Sequence, residues 1–148
     1  MQLHIGQCGF PAGALYVEQI RWTASPHAGR LTFHPDGKTL FGGCCDGLIR
    51  VWNVEDPESI TERYHLDGHH GEVSRLAVSP DAAVLASADT EEKRLIVWDL
   101  ASDGHKQLIN HVWPGTVTSL AFAPDSRHLA VGMSNGVTYI LRVVPPPK

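Results

Sequence analysis

Three stretches of this chain are copies of one template: LTFHPDGKTLFGGCCDGLIRVW, LAVSPDAAVLASADTEEKRLIVW and LAFAPDSRHLAVGMSNGVTYIL. Their Pro-Asp pairs begin at Pro35, Pro80 and Pro124, 45 and 44 residues apart. Leu31, Leu76 and Leu120 stand four residues before each proline, Phe33, Val78 and Phe122 two before, and Leu40, Leu85 and Leu129 five after. The closing position holds Trp52, Trp98 and Leu141. A unit this short cannot bury its own apolar faces, so repeated units must stack and shelter one another.

Each copy reads as strand, turn, strand, turn, strand. In the first strand the apolar residues alternate with the small Thr32, Ala77 and Ala121, the period of a sheet. His34-Pro35-Asp36-Gly37 is a turn in which proline fixes one φ and glycine accepts a positive one. Ala82 and Ser126 replace that glycine, at a cost of about 1 kcal/mol each if those sites are left-handed. Third strands follow over 48–54, 94–100 and 137–143, and the segments 59–66 and 105–112 supply fourth strands after the first two copies. A further strand, ALYVEQIRW (14–22), precedes the first copy. No helical periodicity of useful length occurs, so the expected fold is all-β. Four short strands per unit of this length are the mark of a propeller blade. Blades pack on both faces, which explains why the third strands are apolar on both parities. A buried tryptophan in such a strand contributes on the order of 4–6 kcal/mol as an upper bound.

Composition narrows the function. The 148 residues carry 12 basic and 16 acidic side chains with no basic block, so a surface that tracks phosphate backbones is not expected, and no nucleic-acid partner. The start MQLHIGQCGF lacks the pattern of a signal peptide, and no apolar run is long enough to cross a bilayer, so neither a leader nor a membrane partner is expected. Three cysteines do not make a disulfide framework, and a cytoplasmic protein is the expectation.

Gly68-His69, Ser79-Pro80-Asp81, Ser87 and Trp98-Asp99 together resemble the WD-repeat family, and the resemblance extends over about residues 24–143. It implies incomplete propeller architecture: blade 1 over 24–67, blade 2 over 68–112, blade 3 over 113–144 without its fourth strand, and a proline-rich tail at 145–148. Residues 1–23 would hold an outer strand of a preceding or closing blade. The family's hydrogen-bonded tetrad of His, Ser, Asp and Trp implies structural roles for His69, Ser87 and Trp98. The acidic place falls to Glu91 or Asp89, because the turn in this copy is one residue longer. The first copy keeps Asp46 and Trp52 but has Gly42 and Ala24 at the Ser and His places. The third has Asn135, Leu141, Val131 and Trp113.

Chemistry is not expected at the remaining candidates, so no catalytic, metal or cofactor residue is assigned and no enzyme activity is expected. Cys44 and Cys45 are neighbours in an extended segment and point to opposite faces, so they cannot easily share a metal ion. Gly132-Met133-Ser134-Asn135-Gly136 matches the G-x-S-x-G elbow of hydrolases, yet no Asp, Glu or His follows Ser134 to complete it. The nine histidines are scattered, and His69-His70 lacks helical ligand spacing.

What remains is a surface. The turns Cys45–Gly47, Thr90–Lys93 and Ser134–Gly136 and the links Ser25–Ala28, His70–Glu72 and Trp113–Gly115 should share one rim. Loops held by rigid strands are where recognition resides. Candidate contact residues are Trp113, His70, Glu72, His27, Lys93 and Asn135. The function expected is a noncatalytic scaffold module that binds a protein or peptide; the alternative is the repeat region of a larger modular enzyme such as a bacterial protein kinase. Three blades do not close a ring. The chain is therefore expected to be the C-terminal part of a longer protein, to self-associate into a six-bladed ring, or to stand as an open fan. The ending VVPPPK fits a true chain end, because proline stops a ladder.

Overall fold

A computed structural model describes residues 28–143 together with the backbone of 4–7 and 18–21. The proline-rich tail, Ala24 and His27 lie outside the described residues. Strands β1 (His4–Gln7) and β2 (Glu18–Arg21) pair antiparallel with each other. Part of the anticipated strand over 14–22 is thus a strand, and its partner is β1.

The first blade is a four-stranded meander, β3 (Ala28–Phe33), β4 (Thr39–Cys44), β5 (Leu48–Asn53) and β6 (Thr61–Asp67). The second repeats it with β7 (Val73–Val78), β8 (Val84–Asp89), β9 (Arg94–Asp99) and β10 (Gln107–Val112). The third has three strands, β11 (Val117–Phe122), β12 (His128–Met133) and β13 (Thr138–Arg142). No helix occurs among the described residues.

The Pro-Asp turn is built by its aspartate. Asp36 Oδ1 accepts the backbone N–H of Lys38 and Thr39, Asp81 Oδ1 that of Ala83, and Asp125 Oδ1 those of Arg127 and His128. An aspartate that bonds the backbone two or three residues on stabilises this bend. The next residue is left-handed in all three copies: Gly37 at φ 69, Ala82 at φ 62 and Ser126 at φ 60.

Period two sends alternate residues to opposite neighbours. Phe41, Ile49, Val51 and Leu66 of the first blade pack with Val73, Leu85, Ile96 and Trp98 of the second. The other parity of the second blade, Ala86, Ala88, Leu95 and Val97, packs with Val117, Leu129, Val131 and Met133 of the third. The central blade is therefore covered on both faces. The outer faces are not: Leu31 and Phe33 are 57% and 60% exposed, and Ile140 is 65% exposed.

Each inner strand carries a register shift, between Ala28 and Arg30, Val73 and Arg75, and Val117 and Ser119. Residues in such a bulge leave the ladder, and their carbonyls are used between blades. Arg30 Nε donates to Ser74 O at 2.7 Å, and Arg75 Nε donates to Thr118 O. Arg75 Nη1 also donates to Ser74 O. Ser119 occupies the corresponding place in the third copy.

Candidate functional site

The second blade is fixed by four buried side chains. His69 Nδ1 lies 2.6 Å from Asp89 Oδ2, and His69 Nε2 lies 2.7 Å from Ser87 Oγ. Trp98 Nε1 donates to the same Ser87 Oγ at 2.9 Å. An indole N–H can only donate. Ser87 therefore accepts from Trp98 and donates its own O–H to His69 Nε2, which places the ring proton on His69 Nδ1 to donate to Asp89. Leu85, Ser87 and Asp89 share one face of β8 because strand side chains alternate. The second oxygen of Asp89 accepts the Glu92 N–H at 2.8 Å and closes the turn. Burial pushes the pKa of His69 down, against the opposing pull of the Asp89 carboxylate.

The order Asp89–His69–Ser87 is that of a hydrolase triad, but the burial differs. Ser87 and Asp89 are fully buried and His69 is 3% exposed. The serine lone pair that would meet a substrate is occupied by Trp98. The geometry holds a fold; it offers no access to a reacting carbonyl.

The acidic member is Asp89, and Glu91 is not part of the tetrad. The Glu91 side chain instead lies over Gly71, where an added Cβ would come within 2.7 Å of its Cδ. The extra residue of this copy falls after Asp89, in a turn where Lys93 takes φ 56. Asp46 likewise serves its own hairpin: it accepts from Arg50 Nη2 at 2.9 Å, Arg50 Nη1 at 3.1 Å and the Leu48 N–H at 3.1 Å. The place of Asp89 is taken in the first copy by Cys44, which is fully buried and whose thiol pKa burial pushes up. Trp52 is 3% exposed, and its ring fills the room left by Gly42, where a Cβ would meet Trp52 Cζ3 at 2.4 Å.

The third copy is apolar at all four places, with Trp113, Val131, Met133 and Leu141. Trp113 packs against the cluster between blades two and three, edge-on to His111 at 4.9 Å and tilted against Tyr139 at 4.6 Å. Its buried Nε1 has no hydrogen-bond partner among the described residues. Valine at the serine place supplies no acceptor.

Above this layer the links and turns meet along one edge. Gly47, at φ 87, sits so close to His69 O that a Cβ would approach it to 2.4 Å. Ser134 N donates to Thr116 O at 2.8 Å and Ser134 Oγ accepts the Thr116 N–H at 3.1 Å, so the hydroxyl of the G-x-S-x-G stretch belongs to a turn. Asn135 Oδ1 accepts the Val137 N–H at 3.0 Å. His70 Nδ1 lies 2.9 Å from Glu92 Oε1, Glu92 Oε2 accepts from Arg94 Nε at 3.1 Å, and Arg94 continues to Asn110. His70, then Arg94, holds the Glu92 carboxyl below its ordinary pKa. Glu72 lies beside Gly29, where a Cβ would meet its Oε1 at 3.1 Å. Arg30 and Arg75 were not among the residues singled out in the sequence. The signal for them was present, because both stand five residues before a repeat proline.

Antiparallel meanders stacked face to face, each turned on a Pro-Asp bend and one locked by a buried His-Ser-Asp-Trp set, define propeller blades. The profile of the WD domain, G-beta repeat, matches residues 22–53, 60–99 and 103–140, and the chain belongs to the WD-repeat family. It is 31% identical over 126 residues to Protein groucho of Drosophila melanogaster, covering 85% of this chain and 16% of that protein. It is 26% identical over 141 residues to Actin-interacting protein 1-2 of Arabidopsis thaliana, covering 93% of this chain and 23% of that protein. The β-propeller domain of Cps50 (Swd1) from Myceliophteria thermophila has the same fold, with a TM-score of 0.71 at 23% identity over 84% of this chain and 38% of that one. The chain thus spans less than a quarter of the length of these two relatives.

Proposed function

We propose that these blades are a noncatalytic interaction module that presents their shared rim to a protein or peptide. The observation that carries this reading is the meeting of the turns 45–47, 90–93 and 134–136 with the links 69–72 and 113–116 along one edge. Polar and charged side chains on rigid strands make a pre-organised recognition surface, because little order has to be created on binding. His70, Glu72, Lys93 and Asn135 are the contacts we assign to it, with Trp113 at its border. The exposed Leu31, Phe33 and Ile140 on the two outer faces support neighbouring blades there, as in a larger propeller, since apolar faces of this kind are otherwise association-prone.

Peptides selected on the chain from a random phage-displayed library test the reading. Binders that are lost on the variant His70→Ala/Glu72→Ala/Lys93→Ala/Asn135→Ala, yet kept on Lys38→Ala/Arg127→Ala at the opposite edge, support it. Binders indifferent to the rim variant refute it.

A further inference from the structure

A crevice of about 270 Å³ opens between the first and second blades on the edge away from the rim. It is lined by His34, Asp36 and Thr39 of the first Pro-Asp turn, Arg63 and Tyr64 of β6, and His105 of the β9–β10 link, with Phe41 and Leu100 as apolar wall. Several of these residues are not what the repeat requires. Ser79 and Ala123 stand at the place of His34 in the other copies. Leu108 and Ile109 correspond to Arg63 and Tyr64, since Ile109 pairs with Val97 as Tyr64 pairs with Val51. Ser59 corresponds to His105, each closing a turn by donating its N–H three residues back, to Asp56 and Ser102. The same architecture is therefore built elsewhere in this chain without the guanidinium, the phenol or either imidazole. Another crevice, between the Pro-Asp turns of blades two and three, is lined by Asp81, Asp125, Ser126 and Arg127 with Ala83, Val84 and Val143.

Arg63 and His34 leave donors open in the first crevice. The Asp36 carboxylate is used internally, by the N–H groups of Lys38 and Thr39 and by Thr39 Oγ1 at 3.2 Å. The Asp36 N–H donates to His34 Nδ1 at 3.1 Å, which places the proton of the neutral ring on Nε2. Arg63 gives one N–H to Thr39 Oγ1 at 3.3 Å, leaving the rest of its fork for a ligand. His105 is held at φ 44, stacked flat on Tyr64 with ring centroids 4.4 Å apart, and its buried Nδ1 has no partner among the described residues. All of this occurs in a chain whose formal charge is −4.

We infer that this crevice binds a phosphate monoester, as a small ester or as a phosphorylated side chain of a partner. Arginine's planar fork suits phosphate oxygens, and Arg63 on β6, His34 on the first turn and His105 on the β9–β10 link line the crevice from three sides. Three terminal oxygens use such a set more fully than the two of a carboxylate. Phe41 and Leu100 face the carbon body of the ester. The site is separate from the rim and does not depend on the rim reading.

Calorimetric titration of the chain at fixed ionic strength tests it, with inorganic phosphate, Ac-Gly-phosphoSer-Gly-NH2 and Ac-Gly-Glu-Gly-NH2 as probes. Arg63→Leu and His105→Ser carry residues that another copy holds at the same place, and Arg63→Lys keeps the charge without the fork. Phosphate or the phosphopeptide should bind at a few millimolar or tighter, with about a tenfold loss on Arg63→Leu and a smaller one on Arg63→Lys and His105→Ser. A phosphopeptide about tenfold tighter than phosphate assigns the site to a phosphorylated partner, and equal binding assigns it to a small ester. Absence of binding by both phosphate and the phosphopeptide, binding unchanged in Arg63→Leu, or equal affinity for the glutamate peptide overturns the proposal.

Discussion

Replacing Ser87 by alanine removes one oxygen and disconnects two buried groups. Ser87 Oγ is the acceptor for Trp98 Nε1 at 2.9 Å and the partner of His69 Nε2 at 2.7 Å, and the serine is fully buried. Each orphaned group carries its desolvation penalty of about 1–3 kcal/mol, which gives a loss of about 2–6 kcal/mol for the two. That is a large fraction of the ~5–15 kcal/mol by which domains are stable. Urea unfolding followed by far-UV circular dichroism measures it. The double variant Ser87→Ala/Trp98→Phe separates the hydrogen bond from the packing: once the indole N–H is gone, removing the serine should cost at least about 1 kcal/mol less than in the wild type. A loss under about 1 kcal/mol for Ser87→Ala, or simple additivity in the double variant, would show that the tetrad does not carry the stability ascribed to it.

Ala82→Gly should stabilise the chain by about 0.5–1 kcal/mol in the same assay, because it relieves a left-handed alanine at φ 62 and costs only glycine's extra unfolded freedom. Ser126→Gly should gain less, since Ser126 Oγ accepts the Asp81 N–H at 2.9 Å. Trp113→Phe deletes a buried N–H with no partner among the described residues, so it should unfold within about 0.5 kcal/mol of wild type or later. His69 has a folded pKa below its unfolded value, so the unfolded chain takes up its proton first as pH falls. Its contribution is complete above the unfolded pKa of about 6.5 and is lost as pH drops below it; urea midpoints at about pH 7.5 and 5.5 should differ, and His69→Gln should flatten that difference.

The repeat was legible because it rests on spacing, and spacing survives where residue types drift. Three prolines in register located every turn between first and second strands, and alternating apolar residues located the strands on either side. The tetrad's acidic member was harder to read. Counting back from Trp98 through a lengthened turn leads to Glu91, whereas counting forward from Leu85 in steps of two leads to Ser87 and then Asp89. A strand keeps its period and a turn does not, so the count along β8 is the one that holds. The same count places Cys44 and Met133 beside Asp89, which shows the buried lock to be a property of the second copy. The phosphate crevice was invisible for another reason: His34, Arg63 and His105 are far apart in sequence, and only the stacking of two sheets brings them together.

The arginines of the inner strands give the row of blades a direction. Arg30 reaches forward to the carbonyl of Ser74, and Arg75 reaches forward to that of Thr118. Each sheet is therefore grasped by the one that leaves the ribosome before it, and a newly made sheet finds its hold already waiting. With Ser119 in the third position that forward grasp is not repeated in the third copy.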